Sequence, residues 1–89
     1  MNHLRKLEIF NKSLANSKRL QILAFLKKKG SAVVSDIADG IHLKFKSTSK
    51  HLQILERAHI IERKKKGLFV YYSLSTKKGP VLESELKLL

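Results

Sequence analysis

Residues 45–58, Phe45-Lys46-Ser47-Thr48-Ser49-Lys50-His51-Leu52-Gln53-Ile54-Leu55-Glu56-Arg57-Ala58, decide the fold. Thr48, Leu52 and Leu55 recur at helical spacing and stack inward. The outward set is then Lys46, Ser47, Ser49, Lys50 and Gln53, with Lys44 and Phe45 at the helix entrance. Upstream, Asp36, Ile37, Ala38 and Asp39 form a brief helix that Ser35 can cap, and residues 40–43 read as the turn between the two helices. Downstream, residues 60–64 and 68–74 are predicted strands, the second carrying the β-rich Leu-Phe-Val-Tyr-Tyr run; Lys65, Lys66 and Gly67 between them form the predicted tip of a hairpin. A helix-turn-helix followed directly by a basic hairpin predicts a winged helix: a mainly α domain with a small β-hairpin wing.

The flanks extend this pattern. Asn16 or Ser17 can cap a helix whose Leu20, Leu23 and Leu26, with Ile22 beside them, form a broad apolar face. Lys27, Lys28 and Lys29 suit the negative end of its dipole, and Gly30 is a natural stop. Residues 31–34 are short and β-prone. At the N-terminus, residues 2–11 place Leu4, Leu7 and Phe10 at helical spacing. Pro80 can open a last helix carrying Val81, Leu82, Leu86 and Leu89. The expectation is one domain, 1–89, with its core in 14–74 and terminal helices over about 2–11 and 80–89.

Composition narrows the function. Eighty-nine residues suit one core and leave little surface for a deep catalytic pocket. The absence of cysteine removes disulfides, thiolate metal sites and thiol nucleophiles together. The chain has no apolar run long enough to cross a bilayer, and residues 1–12 mix charge with leucine, unlike a signal peptide; a cytoplasmic location is expected. A net charge of +12 favours a polyanionic partner, whether DNA, RNA or an acidic membrane surface. The membrane reading wants a long basic amphipathic helix, and the terminal helices are too short for one. No nucleophile elbow, phosphate-cradling glycine loop or metal motif is present, so neither an enzyme nor a cofactor is expected.

Three segments resemble the arsenic-repressor (ArsR-type) family. Leu14-Ala15-Asn16-Ser17-Lys18-Arg19-Leu20-Gln21-Ile22-Leu23 is similar to its opening signature. Ser47-Thr48-Ser49-Lys50-His51-Leu52-Gln53-Ile54-Leu55 resembles its recognition helix, and Gly67-Leu68-Phe69-Val70-Tyr71-Tyr72-Ser73-Leu74 its returning wing strand. The resemblance covers about residues 14–74 and is ungapped over 36–61. It implies a dimeric winged helix-turn-helix regulator, with repression as the usual mode and the terminal helices pairing across a two-fold axis through Leu4, Leu7, Phe10, Val81, Leu82, Leu86 and Leu89. This chain departs from the family where His42 and His59 stand in place of glycines. It also lacks the cysteine-containing sensor motif near residues 34–37 and the C-terminal metal pattern, so membership does not imply metal sensing.

In a helix-turn-helix the second helix enters the major groove with its N-terminal residues toward the base edges. The nominated readers are therefore Lys44, Lys46, Ser47, Ser49, Lys50 and Gln53: lysine donates to guanine, glutamine pairs with adenine, and serine serves base or phosphate. Phe45 either touches a thymine methyl or packs against the preceding helix, the second being the favoured expectation. Arg63, Lys64, Lys65 and Lys66 of the wing are assigned to phosphates or the minor groove. Residues 44–66 hold eight Lys or Arg against two acids, a net of +6. His3, His42, His51 and His59 have no zinc-motif spacing; packing or phosphate contact suits His51 better than ligation. The expected partners are double-stranded DNA and a second copy of the chain, with no metal and no membrane. The alternatives are a winged-helix module for RNA or a protein, or an architectural DNA binder without sequence choice.

Overall fold

The structure is a computed structural model and describes residues 16–76. The terminal stripes, Leu4 to Phe10 and Val81 to Leu89, lie outside the described residues. Helix α1 (Ser17–Lys29) starts where Asn16, on extended backbone, turns its side chain inward as the cap. Asn16 Oδ1 accepts from the amides of Lys18 (2.9 Å) and Arg19 (3.3 Å), two of the donors that a helix start leaves unpaired. Gly30 ends the helix at φ 85°, its N–H donating to the Leu26 carbonyl at 2.8 Å. Ile22, Leu23 and Leu26 are buried, with Leu20 at the margin.

Strand β1 (Ser31–Ala32) leads into α2 (Val34–Gly40). The β-prone segment is thus two residues long, and α2 starts earlier than Ser35 predicts. Val33 is the N-cap and lends no side-chain bond; the helix opens with the Ile37 amide donating to the Val33 carbonyl at 3.1 Å. Ser35 therefore sits inside the first turn, because Ile37 and Ala38 must face the core and the helix phase follows them. Gly40 lies against Phe25 of α1, and a Cβ there would collide with the phenyl ring.

Helix α3 (Phe45–Arg57) buries Thr48, Leu52 and Leu55, as the spacing predicts. Thr48 is fully buried, and its hydroxyl is satisfied by donating to the Lys44 carbonyl at 2.9 Å. The two helices of the motif end alike. After α2, His42 N–H donates to the Asp39 carbonyl (3.3 Å) and Leu43 N–H to that of Ala38 (3.0 Å). After α3, His59 N–H donates to the Glu56 carbonyl (3.0 Å) and Ile60 N–H to that of Leu55 (3.0 Å). Both are Schellman closures, whose key residue takes the left-handed conformation. His42 at φ 55° and His59 at φ 60° occupy the two positions where glycine is easiest.

Strands β2 (Ile61–Lys66) and β3 (Phe69–Leu74) form the wing, and β1 pairs with the other edge of β3, giving a three-stranded antiparallel sheet in the order β1-β3-β2. Ile60 is spent on the helix closure, so β2 begins one residue later than predicted. It also runs further. Lys66 pairs with Phe69, so the loop is Gly67-Leu68, and Lys65 and Lys66 belong to the strand rather than the tip. Gly67 supplies the positive φ, 61°, required at the first position of a type II′ turn. The wing is anchored through one face: Ile61 and Tyr72 join the core of Ile22, Leu23, Leu26, Ile37, Leu52 and Leu55, and Val70 and Leu74 pack against it. Beyond Ile61 every residue of β2 is exposed, so the hairpin projects into solvent.

Candidate nucleic-acid interface

Because α3 buries Thr48, Leu52 and Leu55, helical geometry places Lys46, Ser49, Lys50 and Gln53 on the opposite side, at i, i+3, i+4 and i+7. Lys44, Lys46, Lys50 and Gln53 are exposed, and Ser47 and Ser49 are half-buried. Arg57, also exposed, continues the stripe. The sequence reading did not single it out, although its spacing of eleven from Lys46, three helical turns, places it on the same face.

The start of α3 is electropositive by construction. Its first turn holds no acidic residue, and lysines stand at 44 and 46. Unpaired amides at a helix start carry about half a positive charge, and an acid there stabilises a helix by roughly 0.3–1 kcal/mol. This chain places cations there instead. The arrangement forgoes that stability and leaves the helix end suited to an anion.

Phe45, the first residue of α3, is 59% exposed. It is not buried against the preceding helix as expected, and it is not among the side chains packed on the core.

On the wing, paired residues share a face of the sheet. Lys64 lies opposite Tyr71 and Lys66 opposite Phe69 on one face; Arg63 opposite Tyr72 and Lys65 opposite Val70 lie on the other. Both faces therefore carry two cations. Lys66 Nζ sits 5.8 Å from the centre of the Tyr71 ring, within cation–π range. Arg63 is engaged within the fold: its Nε lies 3.5 Å from Glu56 Oε2 at the end of α3, tying wing to helix. Glu62 accepts from Thr76 N (3.1 Å) and Oγ1 (3.0 Å), and these bonds hold its carboxyl below the usual range. Leu68 at the tip is 95% exposed.

His51 sits half-buried on α3 and accepts a hydrogen bond at Nδ1 from Arg19 Nε of α1, 3.3 Å away. Desolvation, and then the Arg19 charge, push its pKa below 6.5. With Nδ1 accepting, the ring is neutral and its proton sits on Nε2. Arg19 was visible beforehand only as part of the quoted opening signature. Among the described residues, no three His, Asp or Glu side chains are grouped to hold a metal, and no helix is long and apolar enough to cross a membrane.

Residues 16–63 match the family model described as bacterial regulatory protein, arsR family. The transcriptional repressor SdpR of Bacillus subtilis is 40% identical over 65 residues, 73% of this chain and 71% of the relative. The arsenical resistance operon repressor of Bacillus subtilis is 37% identical over 82 residues, 92% of this chain and 78% of the relative. Among solved structures, reduced HlyU from Vibrio cholerae superposes with a TM-score of 0.79 at 28% identity, covering 96% of this chain and 85% of that one. A homodimeric winged helix-turn-helix DNA-binding domain from Mycobacterium bovis gives 0.81 at 29% identity, covering 96% and 75%.

Proposed function

Because this chain belongs to the arsR family of bacterial regulatory proteins, we propose that it is a dimeric, sequence-specific binder of double-stranded DNA that acts in the cytoplasm as a transcriptional repressor. The observation that carries the reading is the outward stripe of α3. Lys46, Ser49, Lys50 and Gln53 extend from an electropositive helix end, with a basic hairpin beside them.

In this reading α3 lies in the major groove. Lys44, Lys46, Ser47, Ser49, Lys50 and Gln53 meet base edges and the nearest phosphates, and Arg57 reaches the backbone further on. Lys64, Lys65 and Lys66 on the wing supply affinity that is independent of sequence. Arg63 contributes there while held by Glu56, since a guanidinium has more donors than one carboxylate engages. The terminal stripes, Leu4, Leu7, Phe10 and Val81, Leu82, Leu86, Leu89, are the proposed dimer surface. Two copies would set recognition helices one DNA turn apart, roughly 34 Å, on a palindromic site. Occupying such an operator blocks polymerase. The chain carries no cysteine, so a thiolate metal sensor has no ligands here.

One observation gives single-stranded nucleic acid some footing: Phe69, exposed beside Lys64 and Lys66, offers a ring on which a base can stack. The test is selection from a random duplex library across a salt series, with single-stranded RNA as competitor. A selected palindrome with half-sites about ten base pairs apart is the expected result. Salt-sensitive binding without sequence choice would make this an architectural DNA protein. Displacement by RNA, or no DNA binding, would overturn the reading.

A further inference from the structure

Among the described residues, three large apolar side chains are exposed: Phe45, Leu68 and Phe69. Two are on the wing. Phe45 stands alone on α3, at its first position, between Lys44 and Lys46. Leaving a phenyl ring in water forgoes part of the roughly 1.5–3 kcal/mol that burying it would bring, and single exposed apolar residues are common enough to need no partner. Phe45 shares the helical phase of buried Thr48 and Leu52, at i, i+3 and i+7. It is exposed because it stands at the very start of the helix, and that end position is what makes it different. The first residues of a helix docked in the major groove face the base edges, and the rest of the nominated surface is polar: Lys44, Lys46, Ser47, Ser49, Lys50 and Gln53.

That polarity leaves a gap in what the surface can read. Lysine, serine and glutamine recognise hydrogen-bonding atoms on base edges, whereas the C5 methyl of thymine offers none and is sensed by apolar contact. Thr48, whose methyl would otherwise serve, is fully buried. Ile54 is only partly exposed and lies two turns further along the helix, away from the entrance. We propose that Phe45 is a specificity-determining residue that packs its ring on a thymine C5 methyl in each half-site. The proposal rests on the DNA-binding reading above and adds a base preference to it. Its cations hold the helix end against the phosphates while the ring excludes water from the methyl, so desolvation of both groups supplies the discrimination.

The experiment replaces each thymine of the selected operator in turn with deoxyuridine, which removes the methyl and leaves every hydrogen-bonding atom in place. Wild-type protein should lose roughly three- to fivefold in affinity at one thymine per half-site, the worth of a single buried methyl. Phe45→Ala should bind the thymine operator more weakly and be indifferent to deoxyuridine at that position, with Phe45→Leu between the two. 5-Methylcytosine placed there should bind wild type more tightly than cytosine. A wild-type protein indifferent to deoxyuridine everywhere, while still selecting an operator, overturns the proposal and leaves the DNA-binding reading standing. The same deoxyuridine penalty in Phe45→Ala also overturns it. Failure to select any operator removes both. Because the ring is exposed, Phe45→Ala should keep the wild-type melting temperature, and the wild-type scan stands by itself.

Discussion

Arg19 Nε donates to His51 Nδ1 at 3.3 Å, joining α1 to the middle of α3 across a sequence separation of 32 residues. The bond fixes the ring's tautomer and places a permanent cation beside it. Burial and that cation both disfavour the imidazolium, which lowers the His51 pKa below 6.5.

The lowered pKa makes stability depend on pH with a definite sign. As pH falls, the unfolded chain takes up this proton at 6.5, before the folded one does. The contribution is therefore complete above 6.5 and is lost as pH falls from there through the lower folded value. Urea midpoints measured between about pH 8 and 5 should decline more steeply for wild type than for His51→Gln. An NMR titration placing His51 at or above the ordinary histidine value would contradict this account.

Gly40→Ala should destabilise the fold, although the same change inside an exposed helix ordinarily gains about 0.5–1 kcal/mol. Here the new methyl meets the Phe25 ring, so either that ring leaves its place against the core or α1 and α2 move apart. A loss of roughly 1–3 kcal/mol is expected in urea unfolding. Phe25→Leu should relieve part of it in the double variant, and an additive pair would mean that the two residues do not clash.

The two Schellman closures predict the opposite sign for glycine. A non-glycine residue held left-handed costs about 1–2 kcal/mol, partly offset because glycine has more freedom to lose on folding. His42→Gly and His59→Gly should each gain up to about 1 kcal/mol, a rise of several degrees in Tm for a domain this size. A β-branched residue in either place should lower Tm. Equal effects of Gly and Val would mean that backbone conformation is not what these positions select.

The helix and the wing should separate in DNA binding. Lys50→Ala or Gln53→Ala should cost about 1–3 kcal/mol on the preferred site and relax preference at particular base pairs. Lys64→Ala with Lys65→Ala should weaken binding to all sequences alike and reduce the salt slope by about 2. Equal losses on specific and random duplexes for both sets would end that division of labour.

Glu56→Gln should strengthen binding modestly. It removes an acid from the interface and frees Arg63 from a 3.5 Å partner, while an exposed ion pair of this kind contributes only about 0–1 kcal/mol to stability. Filter binding at low salt should show a gain that fades as salt rises. A loss of affinity would mean that Glu56 positions Arg63 for DNA rather than competing for it.

Much of this architecture is local and was legible along the chain. Period and capping located the helices: Thr48, Leu52 and Leu55 repeat with the helix and are buried, and Asn16 caps because its side chain needs only the next turn of backbone. Charge and order marked the wing. His42 and His59 stand where the resembled family has glycines, and both are left-handed. Other features depend on residues far apart in sequence. Whether Phe45 is buried depends on which elements pack around the start of α3, and its ring is left 59% exposed. Where the hairpin turns depends on the register that lets Ile61 and Tyr72 reach the core together, which carries Lys65 and Lys66 out of the loop. The Arg63–Glu56 and Arg19–His51 contacts join separate elements. Periodicity records which face of an element meets a core, because burial repeats with the backbone. It carries no information about which distant side chain stands opposite, and that is decided only when the elements pack.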